Sequence, residues 1–310
     1  MTHIHVFLQS PTEHIAKMAL IEACFFGIYS EVITLLNNGA DVNACEDDGN
    51  TALMTVCVNG YTDLARLLIE RGANVYACDN QRYTAFFYAS SAGHTDIVRL
   101  LIKHGVDVNT RCKKGNTALI GASWNGHTDV VRVLIEHGAD VNARGKNGDT
   151  ALIAASFRHL DVVRVLLEHG AHVNTRSCKY GKTALIAASS NGRANAVRLL
   201  IEHGADVNAC DNIGATSLTY ASLHGETEVV SVLIEHGADV NAYGTLGHKT
   251  SLIHASIEGY IDVVRLLIEH GADVNACDKE GKTPLTHASI EGHTEVVRML
   301  TDAIQDAPAT

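Results

Sequence analysis

The chain has 310 residues, 46% of them hydrophobic, 19% charged and only 5% aromatic, a composition of small aliphatic side chains that excludes a disordered polypeptide. With 24 Lys plus Arg against 35 Asp plus Glu the net charge is −11, which argues against a general polyanion-binding surface while leaving room for a local basic patch. No run of 18 uninterrupted apolar residues occurs, and the opening MTHIHVFLQSPTEH lacks a basic start and a small-residue cleavage pattern, so neither a membrane span nor a secretion signal is expected.

In chain order, residues 1–11 read as a tail and 12–43 as an amino-terminal cap. Its Phe25, Phe26 and Tyr29 are expected to close the end of the core with large side chains. A segment GAxVN, or a close variant, then recurs at Gly39, Gly72, Gly105, Gly138, Gly170, Gly204, Gly237 and Gly271, with steps of 33, 33, 33, 32, 34, 33 and 34. A Thr followed by Ala, Ser or Pro keeps phase with it, at Thr51, Thr84, Thr117, Thr150, Thr183, Thr216, Thr250 and Thr283. Two markers in constant phase define an internal repeat.

Residues 110–142 show how one repeat is built. TRCKKGN has turn chemistry, and Thr117 is placed to cap a short helix that Gly126 closes. A second helix follows over DVVRVLIEH, with Val130, Val131, Leu134 and Ile135 at helical spacing. Asp129 in its first turn and His137 in its last suit the helix dipole, and Gly138 supplies a left-handed end. Helices of about nine residues span only about 13 Å and are unstable alone. Each repeat must therefore bury its apolar side against its neighbours. The tail DAIQDAPAT is expected to fray.

TPLTHASIEGHTEVVRML at 283–300 and LLIEHGADVNACDKEGKT at 266–283 resemble the ankyrin repeat, and the likeness runs from about Thr12 to Gln305. The resemblance implies an all-α ankyrin-repeat solenoid of about nine helix-turn-helix repeats with projecting β-hairpin fingers. The division is an amino-terminal cap at 12–43, seven internal repeats at 44–275 and a carboxyl-terminal cap at 276–305, followed by a tail at 306–310. The pattern departs from the family in two places. Its Pro after the Thr survives only at Pro284, and its His in the same tetrapeptide is replaced by Met54, Phe87, Ile120, Ile153, Ile186, Thr219, Ile253 and Thr286. Aliphatic packing is expected where that His would have formed hydrogen bonds between repeats.

No catalytic or metal site is expected. The row His104, His137, His169, His203, His236 and His270 precedes each helix-ending Gly, and neighbours about 10 Å apart cannot share an ion that needs bonds of about 2 Å. A helix-end role is expected instead. Motifs for phosphate loops, nucleophile elbows and zinc proteases are absent, and no cofactor is expected. Eight dispersed cysteines, with no C-x-x-C pair, read as free thiols in a reducing compartment such as the cytoplasm.

The irregular repeats lie in the middle of the chain. Residues 175–208 and 242–275 carry one extra residue in the fingers RSCKYGK and YGTLGHK, and residues 143–174 lack one between the helices. Arg111, Lys113, Lys114, Arg144, Lys146, Arg176, Lys179 and Lys182, with Tyr180 among them, form a basic strip on consecutive fingers, whereas the first finger holds Glu46, Asp47 and Asp48. At the end of the first helix, where the family shows its concave surface, stand Trp124 with Asn125 and Phe157 with Arg158. Either ring packs as core or anchors a partner. These thirteen residues, Trp124, Asn125, Phe157, Arg158, the basic strip and Tyr180, are the expected partner-binding set.

The expected partner is another protein with an acidic and partly apolar surface, met by a monomeric, non-catalytic scaffold. Two other readings are action on a host factor as an effector, and nucleic-acid binding by the basic fingers, which the overall charge disfavours. The resemblance also implies sites for an asparaginyl hydroxylase at Asn109, Asn142, Asn208, Asn241 and Asn275.

Overall fold

The computed structural model describes residues 11–244 and 247–306. Of the expected tails at 1–11 and 306–310, residues 1–10 and 307–310 lie outside the described residues, as do Thr245 and Leu246 of the YGTLGHK finger. Pro11 opens the first helix, and the DAIQD part of the segment expected to fray continues the last helix to Asp306. Among the described residues there are eighteen helices in nine consecutive pairs, the array the repeat pattern requires. They fall into two compact bodies, one up to Lys146 and one from Asn147.

The amino-terminal body pairs α1 (Pro11–Phe26) with α2 (Tyr29–Asn37), α3 (Ala52–Asn59) with α4 (Thr62–Glu70), α5 (Ala85–Ala92) with α6 (Thr95–Lys103) and α7 (Ala118–Asn125) with α8 (Thr128–Glu136). Within it α1, α3, α5 and α7 pack in succession, and each also packs on its own partner. In α8 three members of the apolar stripe expected from spacing, Val130, Val131 and Leu134, are removed from solvent, whereas Ile135 is half-buried and Val133 takes the fourth buried place.

The carboxyl-terminal body pairs α9 (Ala151–Ser156) with α10 (Leu160–Glu168), α11 (Ala184–Ser189) with α12 (Ala194–Glu202), α13 (Ser217–Leu223) with α14 (Thr227–Glu235), α15 (Ser251–Glu258) with α16 (Ile261–Glu269) and α17 (Pro284–Glu291) with α18 (Thr294–Asp306). Its first helices again pack in succession, and so do its second helices. Ile153, Ile186 and Ile253, which stand where the family has a His, are buried.

Each first helix of the repeats starts the same way. The Thr hydroxyl accepts a bond from the backbone N–H three residues on: Thr117 from Ile120 at 3.4 Å, Thr150 from Ile153 at 3.3 Å and Thr183 from Ile186 at 3.2 Å. Because the N–H groups of a first turn have no helical acceptor, this bond replaces one otherwise lost on burial. Thr150→Ala is expected to lower stability by about 1 kcal/mol, read as a shift of the urea midpoint, and Thr150→Ser by much less.

The fingers differ from extended hairpins. Four are closed by a single antiparallel bridge, Cys45 with Thr51, Cys78 with Thr84, Cys210 with Thr216 and Tyr243 with Thr250, and no sheet forms among the described residues. Turn bonds take the place of a ladder. Asp79 Oδ1 accepts from the N–H groups of Gln81 and Tyr83, and Asp211 and Asp278 repeat that geometry in their own fingers.

Candidate partner-binding surface

Three sets of contacts hold adjacent repeats in register, and together they decide which side chains face outward. Fingers are joined by backbone bonds: Asn80 N–H to Asp48 O at 2.8 Å, Lys113 N–H to Gln81 O at 2.9 Å and Lys146 N–H to Lys114 O at 2.6 Å in the amino-terminal body. In the other body Asn212 N–H donates to Tyr180 O at 3.0 Å.

The landmark Asn forms the second set. Asn109 donates from Nδ2 to Gly138 O at 3.0 Å, while its Oδ1 accepts from Asp140 N–H at 2.8 Å. Asn43, Asn174, Asn208 and Asn241 make the same two bonds to the following repeat. A planar amide, with a donor and an acceptor on one end, suits this double duty. Where the pattern has Tyr76 instead, its hydroxyl donates to His104 O at 3.2 Å.

The third set involves the glycines that close the first helices. Gly60 and Gly93 end their helices with φ of 81° and 85°, as a left-handed terminus requires. They are also seats: a Cβ on Gly60 would lie 2.4 Å from the ring of His94, and one on Gly93 2.5 Å from His127. Each ring reaches past its glycine to a carbonyl of the preceding repeat, His94 Nε2 to Val58 O at 3.1 Å and His127 Nε2 to Ser91 O at 3.0 Å. Hydrogen bonding between repeats therefore survives the loss of the family's His, carried by other residues.

The histidine row has the helix-end role. Nδ1 of His104, His137, His169, His203, His236 and His270 lies 2.7–2.9 Å from the carbonyl four residues earlier. The ring N–H donates to a last-turn carbonyl, which in the five repeats from His137 to His270 also accepts the backbone N–H of the same His at 3.2 Å. Among the described residues no group of three metal-ligating side chains stands together. All eight cysteines are free thiols, and burial pushes that of Cys24 up to about 12.

On this scaffold Trp124, at the end of α7, is 58% exposed. The same helix-end position carries Val58 on α3 and the pair Phe25 and Phe26 on α1, all exposed. This corrects the expectation that Phe25, Phe26 and Tyr29 close the core: Phe25 and Phe26 are 57% and 60% exposed, Tyr29 is exposed too, and the two Phe rings meet edge to face at 5.3 Å. The reason is helical phase. Leu20, Ala23, Cys24 and Val32 take the buried side, which leaves residues 25 and 26 on the other. The amino-terminal body thus carries an apolar row from Phe25 to Trp124, interrupted by the half-buried Ser91 and Ala92.

Several polar members of the expected set are engaged within the protein. Asn125 Nδ2 donates to Ser91 O at 2.8 Å and Ser91 Oγ at 2.9 Å. Arg111 bonds Arg144 O at 2.6 Å and Gly115 O at 3.2 Å, bracing two fingers. Lys113, Lys114, Arg144 and Lys146 are exposed on those fingers. In the carboxyl-terminal body Phe157 is half-buried, whereas Arg158, Arg176, Lys179 and Tyr180 are exposed. Lys182 is folded back, its ammonium 4.5 Å from the centre of the Tyr220 ring, which removes it from the outward strip.

One constellation escaped the sequence reading. Buried Asp79 accepts from the hydroxyl of Tyr88 at 2.7 Å, Asp211 from that of Tyr220 at 2.8 Å, and Asp278 bonds His287 Nε2 at 2.8 Å. Each pair is nine residues apart and ties a finger to its own first helix. Burial and the Asp211 bond together push the Tyr220 phenol up to about 12. The clue lay in the repeats themselves, because an Asp five residues before the Thr occurs only with a Tyr or His four residues after it.

Stacked helix pairs and in-register fingers define a repeat protein of helix-turn-helix layers. Residues 20–112, 105–177 and 173–244 match the family described as ankyrin repeats (3 copies), and residues 252–301 match ankyrin repeats (many copies). The chain belongs to the ankyrin repeat family. Comparison with curated proteins returns no match. Ankyrin repeats generally act as protein-binding scaffolds and are typically non-catalytic, and no described helix is long and apolar enough to cross a membrane.

Proposed function

We propose that this chain is a non-catalytic scaffold whose amino-terminal body captures a protein partner on the helix-end row centred on Trp124. The observation that carries this reading is the exposure of Trp124 in line with Val58, Phe25 and Phe26. Large apolar side chains rarely stand together in water without a use, and Trp is a frequent interface anchor. Lys113, Lys114, Arg144 and Lys146 supply positive charge on the fingers of the same body, so the partner carries an acidic and partly apolar surface. Phe157, Arg158, Arg176, Lys179 and Tyr180 form a second contact area on the other body, with Lys182 the weakest member of the set.

The test is capture of binding proteins from an extract by the purified chain, followed by affinity measurement with the protein recovered. Trp124→Ala is expected to weaken binding about 30-fold or more, the effect of losing about 2 kcal/mol at an anchor. Arg144→Glu is expected to slow association in a salt-dependent way. Unchanged affinity in a folded Trp124→Ala, Arg144→Glu double variant would remove this surface from consideration.

The same reading bears on asparagine hydroxylation. Asn109, Asn208 and Asn241 use both the donor and the acceptor of the amide between repeats. An enzyme acting on them must first separate adjacent repeats. Asn275 is followed by no further GAxVN segment, so in this reading it is the most accessible of the expected sites.

A further inference from the structure

In the carboxyl-terminal body the turn after α9, the turn after α11 and the start of α14 border a half-open cavity of about 290 Å³. Arg158, His159, Gly192, Arg193, Asn195 and Glu228 border it. Three departures from the repeat pattern meet at this place.

The first is the missing residue of repeat 143–174, which is the helix-closing glycine itself. α9 ends at Ser156 with Phe157 in right-handed conformation, whereas α15 and α17 end on left-handed Gly259 and Gly292. The second is Arg193. Elsewhere in this body that position holds His159, Glu226, Tyr260 or His293, and the side chains of the last three lie over the closing glycine of the preceding repeat. With no glycine to cover, Arg193 donates from Nε to Phe157 O at 3.1 Å, the carbonyl position that His293 uses at Ile257 O at 2.9 Å. A flexible guanidinium thus replaces a ring, and space remains beside it.

The third departure removes a negative charge. The first turns of α10, α14, α16 and α18 carry Asp161, Glu228, Asp262 and Glu295, while α12 has Asn195 at the equivalent place. Glu228, the acid that does border the cavity, is paired with Arg198 at 3.5 Å. Arg158 and Arg193 therefore border a polar pocket where Glu228 already has a cation of its own and the Glu226 carboxylate lies beside Gly192.

We propose that this cavity binds a phosphate monoester between Arg158 and Arg193. A guanidinium offers N–H groups in a planar fork that fits phosphate oxygens, and a dianion balances two such groups where a carboxylate balances one. The start of α12 adds backbone N–H groups to the same wall. At about 30 Å³ per water the cavity exceeds the volume of a bare anion several-fold, so it takes the phosphate together with some of the group that carries it. That group is either a free small molecule or a phosphorylated side chain of a docked protein. Neither Trp124 nor the fingers enter this site, so failure of the partner-capture test leaves it standing.

The experiment is a titration of the full chain, followed by amide NMR shifts or calorimetry at fixed ionic strength, with inorganic phosphate, O-phosphoserine, a phosphoserine peptide and acetate. Arg193→His and Arg158→Asn install residues that the chain already carries at these positions, His127 and Asn125, and circular dichroism checks their fold. Saturable phosphoserine binding, weakened at least tenfold in each variant and at least tenfold tighter than acetate, is the expected result. Tighter binding of the peptide than of phosphoserine assigns the site to protein-borne phosphate, and equal binding assigns it to a small molecule. No saturation with any phosphate compound, equal affinity in the variants, or acetate binding as well as phosphate would overturn the proposal.

Discussion

Gly93→Ala is expected to destabilise the amino-terminal body by about 3 kcal/mol or more, whereas Gly138→Ala costs only about 1–2 kcal/mol, although the two glycines share a φ of 85°. The left-handed backbone penalises a side chain equally at both sites. The difference is the neighbour: a Cβ on Gly93 would stand 2.5 Å from His127 Nδ1, while nothing lies within 4 Å of the corresponding point on Gly138. The variant must displace the imidazole and its bond to Ser91 O, 3.0 Å long. Adding His127→Ala removes the clash, so the double variant should be more stable than the sum of the two single effects. Because an array of repeats can lose its ends separately, hydrogen exchange resolved by repeat is the suitable measurement beside urea unfolding. Equal losses at Gly93 and Gly138 would refute the seat and leave the helix-closing role alone.

The carboxyl-terminal body is expected to lose about 2 kcal/mol between pH 7 and pH 5, and His254→Ala to abolish most of that loss. Burial, then the nearby charges of Lys249 and His287, hold the His254 imidazole down to about 4 from an ordinary 6.5. Between those values the unfolded chain takes up a proton that the folded chain refuses. Stability is therefore fully present above pH 6.5 and falls as the pH drops towards 4. Ala154 and Ala187 occupy the equivalent place in other repeats, so the fold accepts the substitution. Asp278 acts with the same sign lower on the scale. Its burial opposes ionisation, but bonds from His287 and from the N–H groups of Lys282 and Glu280 outweigh it and keep the carboxyl below the usual range. That contribution is present above the ordinary carboxylate range and fades as the pH falls through the lowered value. Urea midpoints at pH 7, 6 and 5 for both proteins decide the matter, and an unchanged slope in His254→Ala would count against it.

Much of the fold was legible because one short pattern is written eight times. Thr117, Gly126 and Gly138 each announce a local geometry, a cap or a left-handed end, that depends on the residue and its immediate neighbours alone. The phase of Val130, Val131 and Leu134 was enough to choose the buried side of α8. Phe25 and Phe26 misled for the opposite reason: they were read by size, as core, although the helical phase of α1 gives the buried places to Leu20 and Cys24. Lys182 read as an outward cation, and only the position of the Tyr220 ring shows it folded inward. The Asp–Tyr and Asp–His pairs were visible as co-occurrence within repeats but had no meaning until finger and helix were seen side by side.

By itself the sequence determined the repeat length, the two helices of each repeat, their caps and the apolar stripe that has to be covered, since all of these follow from interactions within a few turns of chain. The tertiary structure decided what lies between repeats: which carbonyl the His127 ring reaches, which glycine it rests on, that Asn109 spans two repeats, and that a deleted glycine opens a cavity beside Arg193. Those outcomes depend on distances between residues some thirty positions apart. Such distances are set by how one packed layer settles on the next and are encoded by no single segment.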